Sequence, residues 1–511
     1  PSQPSGEAKR RALTAELLEG IWAQLLGMSE VPPGAGFFDL GGDSLSATRV
    51  VARVREVFGV ELPLPRVFEA PGVDELAEEV ERLRAELEGE ALAPIRAGDP
   101  AERSSPLSSQ QWRLWFFDQL HPGSPAYNIP AVVKLVGKLV PEALTAALAG
   151  LLERHRVLST GFLEVASEPR AQWLPGLRLV APLIDLSGLA ELDRSAQAAA
   201  LTEREVARPF ELSRPPLLRC RLVRLGEREH RGLLSLHHIA GDGWSMSVLI
   251  RELGSLYTAR LEGRQASPGA LPVQYGDYAR WQREQIESGR FQAQLEAWRR
   301  ELAGLEELRL PGELGSSPAG DLAAESIPVR LPLGEWQRLR EHCRAQGVTP
   351  FMLLVAAFSL LLYRHTGQRD QAIATAVANR DRAEIEPLIG FFVNTLILRC
   401  RLDGLMPFPA FLAEVRRTTL AAFGRQDTPF EAVVEAVAQD RGPEAPLARA
   451  VFVFQNALEG SLQMPGLELE VLSPGRHWAR MDLELHLRPV PQGLVGALVY
   501  RRAVVSAATA A

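Results

Sequence analysis

An aperiodic stretch at residues 89–104, with small residues, prolines and unpatterned charges, divides this chain into two parts that obey different rhythms. Before it, apolar residues recur only at helical spacing. After it, helical and strand patterns alternate. A chain that changes period in this way does not fold around a single core. Its 511 residues already argue for about three compact units of ordinary size.

In the first part, Leu13, Leu17, Leu18, Ile21, Trp22, Leu25 and Leu26 predict a helix over 11–27 with one apolar face. A loop rich in Pro and Gly follows, and a second helix opens at Ser44, with Leu45, Val50, Val51, Val54, Val57 and Phe58 as its apolar positions. Pro71 and Gly72 precede a third helix over 73–87. Three helices make a small all-α bundle over 11–88. In the second part, Pro141 suits the first turn of a helix that carries Leu144, Leu148, Leu151, Leu152 and His155. Residues 232–239 read as a strand, and a helix runs from Trp244 to Leu261. Helices at 334–346, 349–364 and 408–424 alternate with strands near 371–378, 393–399, 448–456 and 481–488, which predicts layered α/β architecture. This part is too long for one core, so two lobes are expected, 105–282 and 283–511.

At 46% hydrophobic and 23% charged residues the chain has material for sizeable cores. A net charge of −7 argues against nucleic-acid binding, which usually shows as a basic domain. The longest apolar stretch, Phe351 to Tyr363, falls short of the roughly 20 residues of a membrane helix, and no signal peptide is visible, so no membrane is expected. Cys220, Cys343 and Cys400 are widely spaced, with no CxxC pair and no His/Cys cluster. Neither a disulfide framework nor a metal site is expected, and a cytoplasmic, reducing setting fits best. The start at Pro1, without Met, suggests a piece of something longer.

Two places carry chemistry. Ser44 follows Gly41-Gly42-Asp43 at a helix start, where backbone N–H groups favour an anion. By local pattern alone it is also an ordinary N-cap. The second place is His237-His238-Ile239-Ala240-Gly241-Asp242-Gly243. Neighbours on a strand point to opposite faces, so one histidine faces the protein and the other a cavity. A histidine at a strand end beside a glycine-rich loop is placed to act as a general base or to orient a substrate.

The string Phe37-Phe38-Asp39-Leu40-Gly41-Gly42-Asp43-Ser44-Leu45 resembles the attachment motif of peptidyl carrier proteins, over residues 11–88. The resemblance implies that Ser44 receives 4′-phosphopantetheine from a phosphopantetheinyl transferase and that the terminal thiol carries an acyl chain. Leu236 to Ser245 resembles the HHxxxDGWS core of condensation domains. Ser108 to Trp115, Tyr275 to Trp281, Ile389 to Leu396 and Gln426 to Glu431 match further motifs of that family, in the same order. The implied fold is chloramphenicol-acetyltransferase-like, two lobes in a V with a tunnel between them. The implied chemistry is amide formation in a nonribosomal peptide synthetase, in which an aminoacyl amine on a downstream acceptor carrier protein attacks the thioester of the donor arm. An upstream adenylation domain is the implied source of the donor. His238 matches the catalytic second histidine, as base or as orienter, with His237 and Gly243 beside it; the Gly243 N–H is a candidate for the developing oxyanion. Asp242 is implied to be structural, paired with Arg380.

The sequence departs from the family pattern at several points. Asp43 stands where carriers that feed condensation domains often have His; Asp there is commoner beside epimerisation domains. Arg156 and Ser159 replace a usual Glu and Arg, Arg425 replaces His or Asn, and Tyr500 to Ala511 lacks the expected acidic continuation and final helix. A heterocyclisation domain would have two aspartates in place of the histidine motif, which excludes it. An epimerisation domain shares the fold, but Val393-Asn394-Thr395 and residues 426–431 resemble condensation motifs. A silent platform that recruits a tailoring enzyme would typically have a damaged histidine motif, and this one is complete.

Overall fold

The computed structural model describes residues 6–70, 72–86, 94–264, 269–310, 322–441, 446–455, 464–473, 475 and 477–510. The N-terminal bundle is built from α1 (Gly6–Leu26), α2 (Ser44–Phe58), α3 (Leu64–Glu69) and α4 (Val73–Glu86). Leu18, Ile21 and Trp22 of α1 are buried with Val50, Val51 and Val54 of α2 and Leu76 and Val80 of α4. Leu13 and Leu17 are exposed, although spacing alone assigns them to the same face. Helix α3 is an addition to the three expected. Six residues are too few to show a period, yet Leu64, Val67 and Phe68 are all buried.

Asp43, not Ser44, caps α2, which corrects the simple N-cap expectation. The Ser46 N–H donates to the Asp43 carboxylate at 2.7 Å, and the Asp43 N–H donates to the Ser46 hydroxyl, also at 2.7 Å. Ser44 is therefore the first residue inside the helix; the side chains of Ser44 and Leu45 lie outside the described residues. The two preceding glycines differ in purpose. Gly41 holds φ at +98°, and a Cβ on Gly42 would sit 2.5 Å from the Phe37 ring.

Order resumes inside the aperiodic stretch. Residues 87–93 lie outside the described residues, but Ile95 is buried and the Gly98 N–H donates to Asp277 at 3.0 Å. The first lobe then runs through β1 (Ser104–Pro106), α5 (Ser109–Leu120), β2 (Asn128–Gly137), α6 (Pro141–Arg154), β3 (Thr160–Val165), β4 (Glu168–Trp173), β5 (Leu183–Asp185), α7 (Glu191–Ala207), β6 (Leu218–Arg224), β7 (Glu229–His237), α8 (Gly243–Leu261) and α9 (Tyr275–Glu287). The second half contributes α10 (Gln292–Leu302), β8 (Ala323–Pro332), α11 (Leu333–Ala345), α12 (Pro350–Thr366), β9 (Asp370–Val377), β10 (Asn394–Arg401), α13 (Phe408–Phe423), α14 (Phe430–Arg441), β11 (Ala450–Phe454), β12 (Leu467–Leu472), β13 (His477–Trp478), β14 (Leu483–Val490), β15 (Gly493–Arg501) and α15 (Ala507–Ala510). The last described element is the single helical turn α15.

Seven of these strands form one mixed sheet in the order β10-β9-β11-β14-β15-β8-β13. Strand β12 does not join it. It pairs antiparallel with β2 and completes the first lobe's sheet, β12-β2-β7-β6-β5. The chain is thus not divided cleanly at residue 282, because a strand of the second half finishes the sheet of the first. A Cβ on Gly137 would lie 2.0 Å from the Gly466 carbonyl, so this crossover needs glycine at 137. The apolar run 351–363 becomes the interior helix α12, with Met352, Val355, Ala356, Phe358 and Leu362 buried. Among the described residues no single helix is long and apolar enough to cross a membrane.

Candidate active site and its carrier contact

Strand β7 ends at His237, and the two histidines part company there. The His237 ring is buried beside Phe210, 5.8 Å between centroids, and its Nδ1 accepts the Ile239 N–H at 3.2 Å. Burial, then Arg219 and Arg480, push its pKa down to about 3. It does not line the cavity described next; its ring nitrogen instead holds the backbone of the turn that follows the strand. The cause is the alternation of successive residues along a strand.

His238 faces a cavity of about 390 Å³. Its backbone N–H donates to the Tyr127 carbonyl at 2.8 Å, and its ring packs edge-on against Phe391 at 4.7 Å. Nδ1 is buried without a hydrogen-bond partner of good geometry. Burial first, then Arg480 and His237, hold the imidazole well below its usual range, with its own carbonyl pulling weakly the other way. These surroundings favour the neutral ring, which can accept a hydrogen bond. Gly243 lines the same cavity, and a Cβ there would meet nothing within 4 Å.

Asp242 is fully buried and ties this loop to the second half. It caps α8 through the Ser245 N–H at 2.8 Å, accepts the Phe392 N–H at 3.0 Å, and pairs with Arg380 at 3.2 Å. Arg380 also donates to the carbonyls of Ile385 and Leu388 at 2.7 and 2.8 Å and lies 4.1 Å over the Phe392 ring. The Ser245 hydroxyl lies 2.7 Å from both Asp242 and the Gly390 carbonyl. Sequence reasoning missed its role, although a serine three residues after a helix-capping Asp is a recognisable signal.

The other motifs converge on this loop. Tyr275 donates to the Phe391 carbonyl at 2.6 Å and meets the Ser108 hydroxyl at 2.8 Å. Gln111 donates to the Ile239 carbonyl, and Asn394 donates to the carbonyls of Gln426 and Thr428. Two further cavity residues lay outside the motifs and were missed. Arg480 lies 5.5 Å from the Tyr127 ring, and His486 is held 2.7 Å from the buried Glu484.

The N-terminal bundle closes one side of this cavity. Thr48, one turn along α2 from Ser44, and Leu64 at the start of α3 both line it. Phe68 meets Phe423 of α13 at 6.3 Å, and Trp244, on the cavity wall, donates to the Glu386 carbonyl at 3.0 Å. The cavity that Thr48 and Leu64 of the carrier line is the one that His238 and Gly243 line from the other domain. The surroundings fit phosphopantetheine.

Comparison with known proteins agrees with this layout. The family model described as "Condensation domain" matches residues 101–511, and "Phosphopantetheine attachment site" matches residues 16–80. Linear gramicidin synthase subunits C and B of Brevibacillus parabrevis are 36% and 38% identical over 98% and 99% of this chain. The chain spans only 6% and 10% of their lengths. The X-domain from teicoplanin biosynthesis matches with a TM-score of 0.73 and 27% identity, covering 82% of this chain and 94% of that one. The first condensation domain of the calcium-dependent antibiotic synthetase, at 22% identity and a TM-score of 0.67, covers 80% and 94% and shows the same fold. The chain belongs to the condensation-domain family, joined to an N-terminal carrier domain whose cofactor is phosphopantetheine, the pairing shared with its nonribosomal peptide synthetase relatives.

Proposed function

We propose that this chain makes an amide bond, passing an acyl or peptidyl group from Ser44 to the amine of an aminoacyl group presented by a downstream carrier. The observation that carries this is one cavity lined both by Thr48 of the carrier and by His238. Phosphopantetheine on Ser44 supplies the thiol that holds the acyl group as a thioester. The amine nitrogen would bond to the thioester carbon, the carbon–sulfur bond would break, and the proton lost by the amine would end on the departing thiolate, leaving the free thiol. His238, neutral and with Nδ1 in the wall, receives that proton or holds the amine in line. Amine attack on a thioester is intrinsically feasible, so positioning supplies much of the rate. Gly243, first residue of α8, offers an N–H with the helix dipole behind it to the carbonyl oxygen as it gains charge. Asp242 and Arg380 hold the loop, and His237 holds the turn.

The bundle, residues 11–88, is the donor carrier, modified by a phosphopantetheinyl transferase and loaded by an upstream adenylation domain. Its relatives are far longer synthetases, which supports such neighbours. We place the chain in the cytosol, where its three free cysteines would stay reduced.

Loading Ser44 with a peptidyl group and supplying an aminoacyl acceptor carrier should give the extended product by mass spectrometry. Product formed undiminished by His238→Ala would exclude a role for that imidazole. The X-domain has been solved in complex with OxyB, at 26% identity and a TM-score of 0.72. Absence of any extension, with a partner enzyme retained on the protein, would favour such a recruiting role here.

A further inference from the structure

We propose that Glu386 and Asp381 form an acidic receptor that reads three arginines on α2, so that charge pairing, and not the linker, selects which carrier delivers to this cavity. The proposal rests on the condensation reading above. Arg49 and Arg53 lie one turn apart and reach the two oxygens of one carboxylate: Arg49 Nε is 2.7 Å from Glu386 Oε1, and Arg53 is 3.1 Å from Oε2. Arg55 donates to the Asp381 carbonyl at 2.7 Å and lies 3.3 Å from its carboxylate, while Glu61 of the carrier holds the same guanidinium at 2.6 Å.

These are not loose surface pairs. The Glu386 and Asp381 side chains are 13% and 14% exposed and the arginines 16–27%. Pairs withdrawn from water to this degree discriminate against a wrong partner, because a mismatched charge would be left half-buried. The apolar contact of Phe68 with Phe423 adds area but little selectivity. The covalent connection between the two domains concentrates the carrier near this face without naming which side of α2 must meet it.

The receptor is also continuous with the active-site loop. Asp381 follows Arg380, which holds Asp242, and the Glu386 carbonyl accepts the Trp244 indole N–H on the cavity wall. A carrier seated on these two acids is therefore aligned with the cavity that ends at His238.

The test uses the full chain in two reactions: single-turnover transfer from the loaded Ser44 arm, and turnover of a soluble acyl N-acetylcysteamine thioester that bypasses the carrier, each to the same amine. Arg49→Glu/Arg53→Glu should slow transfer from the arm at least tenfold and leave the soluble reaction within twofold. Adding Glu386→Arg should restore arm transfer to within about threefold of the parent. Transfer at the parental rate in the double variant, or no recovery on adding Glu386→Arg, overturns the proposal. A nitroxide pair across the two domains reads docking without chemistry, and the double variant should lose the short-distance population. If the parent turns over neither donor while that population still responds to the charge changes, the condensation reading fails and the docking proposal stands. If the population does not respond, the docking proposal fails.

Discussion

Asp242 and Arg380 meet at 3.2 Å with neither side chain more than 1% exposed, although one follows β7 of the first sheet and the other follows β9 of the second. Both terminal nitrogens of the Arg380 guanidinium are engaged there, so the pair fastens two sheets at the reaction centre. Replacing Arg380 by Met would leave the Asp242 carboxylate buried without its cation. A loss of about 3–5 kcal/mol is expected in chemical denaturation. Combining it with Asp242→Asn should recover part of that loss, because the stranded charge is then gone.

Gly241 and Gly243, two residues apart, should respond oppositely to the same methyl. A Cβ on Gly241 would lie 2.6 Å from Leu236 Cδ2 in the core, whereas one on Gly243 meets only open cavity. Gly241→Ala is expected to lower stability by about 1–3 kcal/mol through overpacking. Gly243→Ala should melt like the parent yet slow amide formation roughly tenfold, by filling the space where the reacting carbonyl approaches.

Long periodic elements were legible in the sequence because their faces carry the core. Helices α2, α8, α12 and α13 and strands β9, β10 and β14 lie within a few residues of where spacing puts them. The motif strings named Ser44, His238, Gly243, Asp242 and Arg380, and the fold brings His238 and Gly243 to one cavity with the Asp242–Arg380 pair beside them. Long-range relations were not legible. Nothing in Leu467–Leu472 marks it as the edge of the first sheet, since an alternating strand fits either sheet equally well. Arg480 and His486 reach the cavity from a turn and from a central strand, and no local pattern shows which cavity a side chain enters.

The buried histidine His237 makes stability fall on acidification, with a definite sign. Its folded pKa of about 3 lies below the ordinary value near 6.5, so between those values the unfolded chain binds the extra proton. Its contribution is fully present above about pH 6.5 and is lost as pH falls toward 3. From pH 7 to 5 the loss should be about 2 kcal/mol, and His237→Gln should flatten the curve by that amount in denaturation at several pH values.

His238 is also held low, so its ionisation should not set the acid limb of the rate. That limb should instead follow the acceptor amine, which must be unprotonated to attack. Exchanging the acceptor for one of lower amine pKa should move the limb with it. A limb fixed near 6.5 for every acceptor would mean that His238 is not neutral as its surroundings require.

Asp43 and Ser44 divide two tasks that local pattern alone gives to one serine. Because the helix cap is Asp43, Ser44→Ala should leave the carrier's denaturation within about 0.5 kcal/mol of the parent. The same variant should lose the mass increase on incubation with coenzyme A and a phosphopantetheinyl transferase. Asp43→Ala should do the reverse, removing the reciprocal bonds with Ser46 at a cost of about 1 kcal/mol while the modification still occurs. A carrier destabilised by Ser44→Ala to the same extent would return the cap to the serine, and the aspartate would then need another explanation.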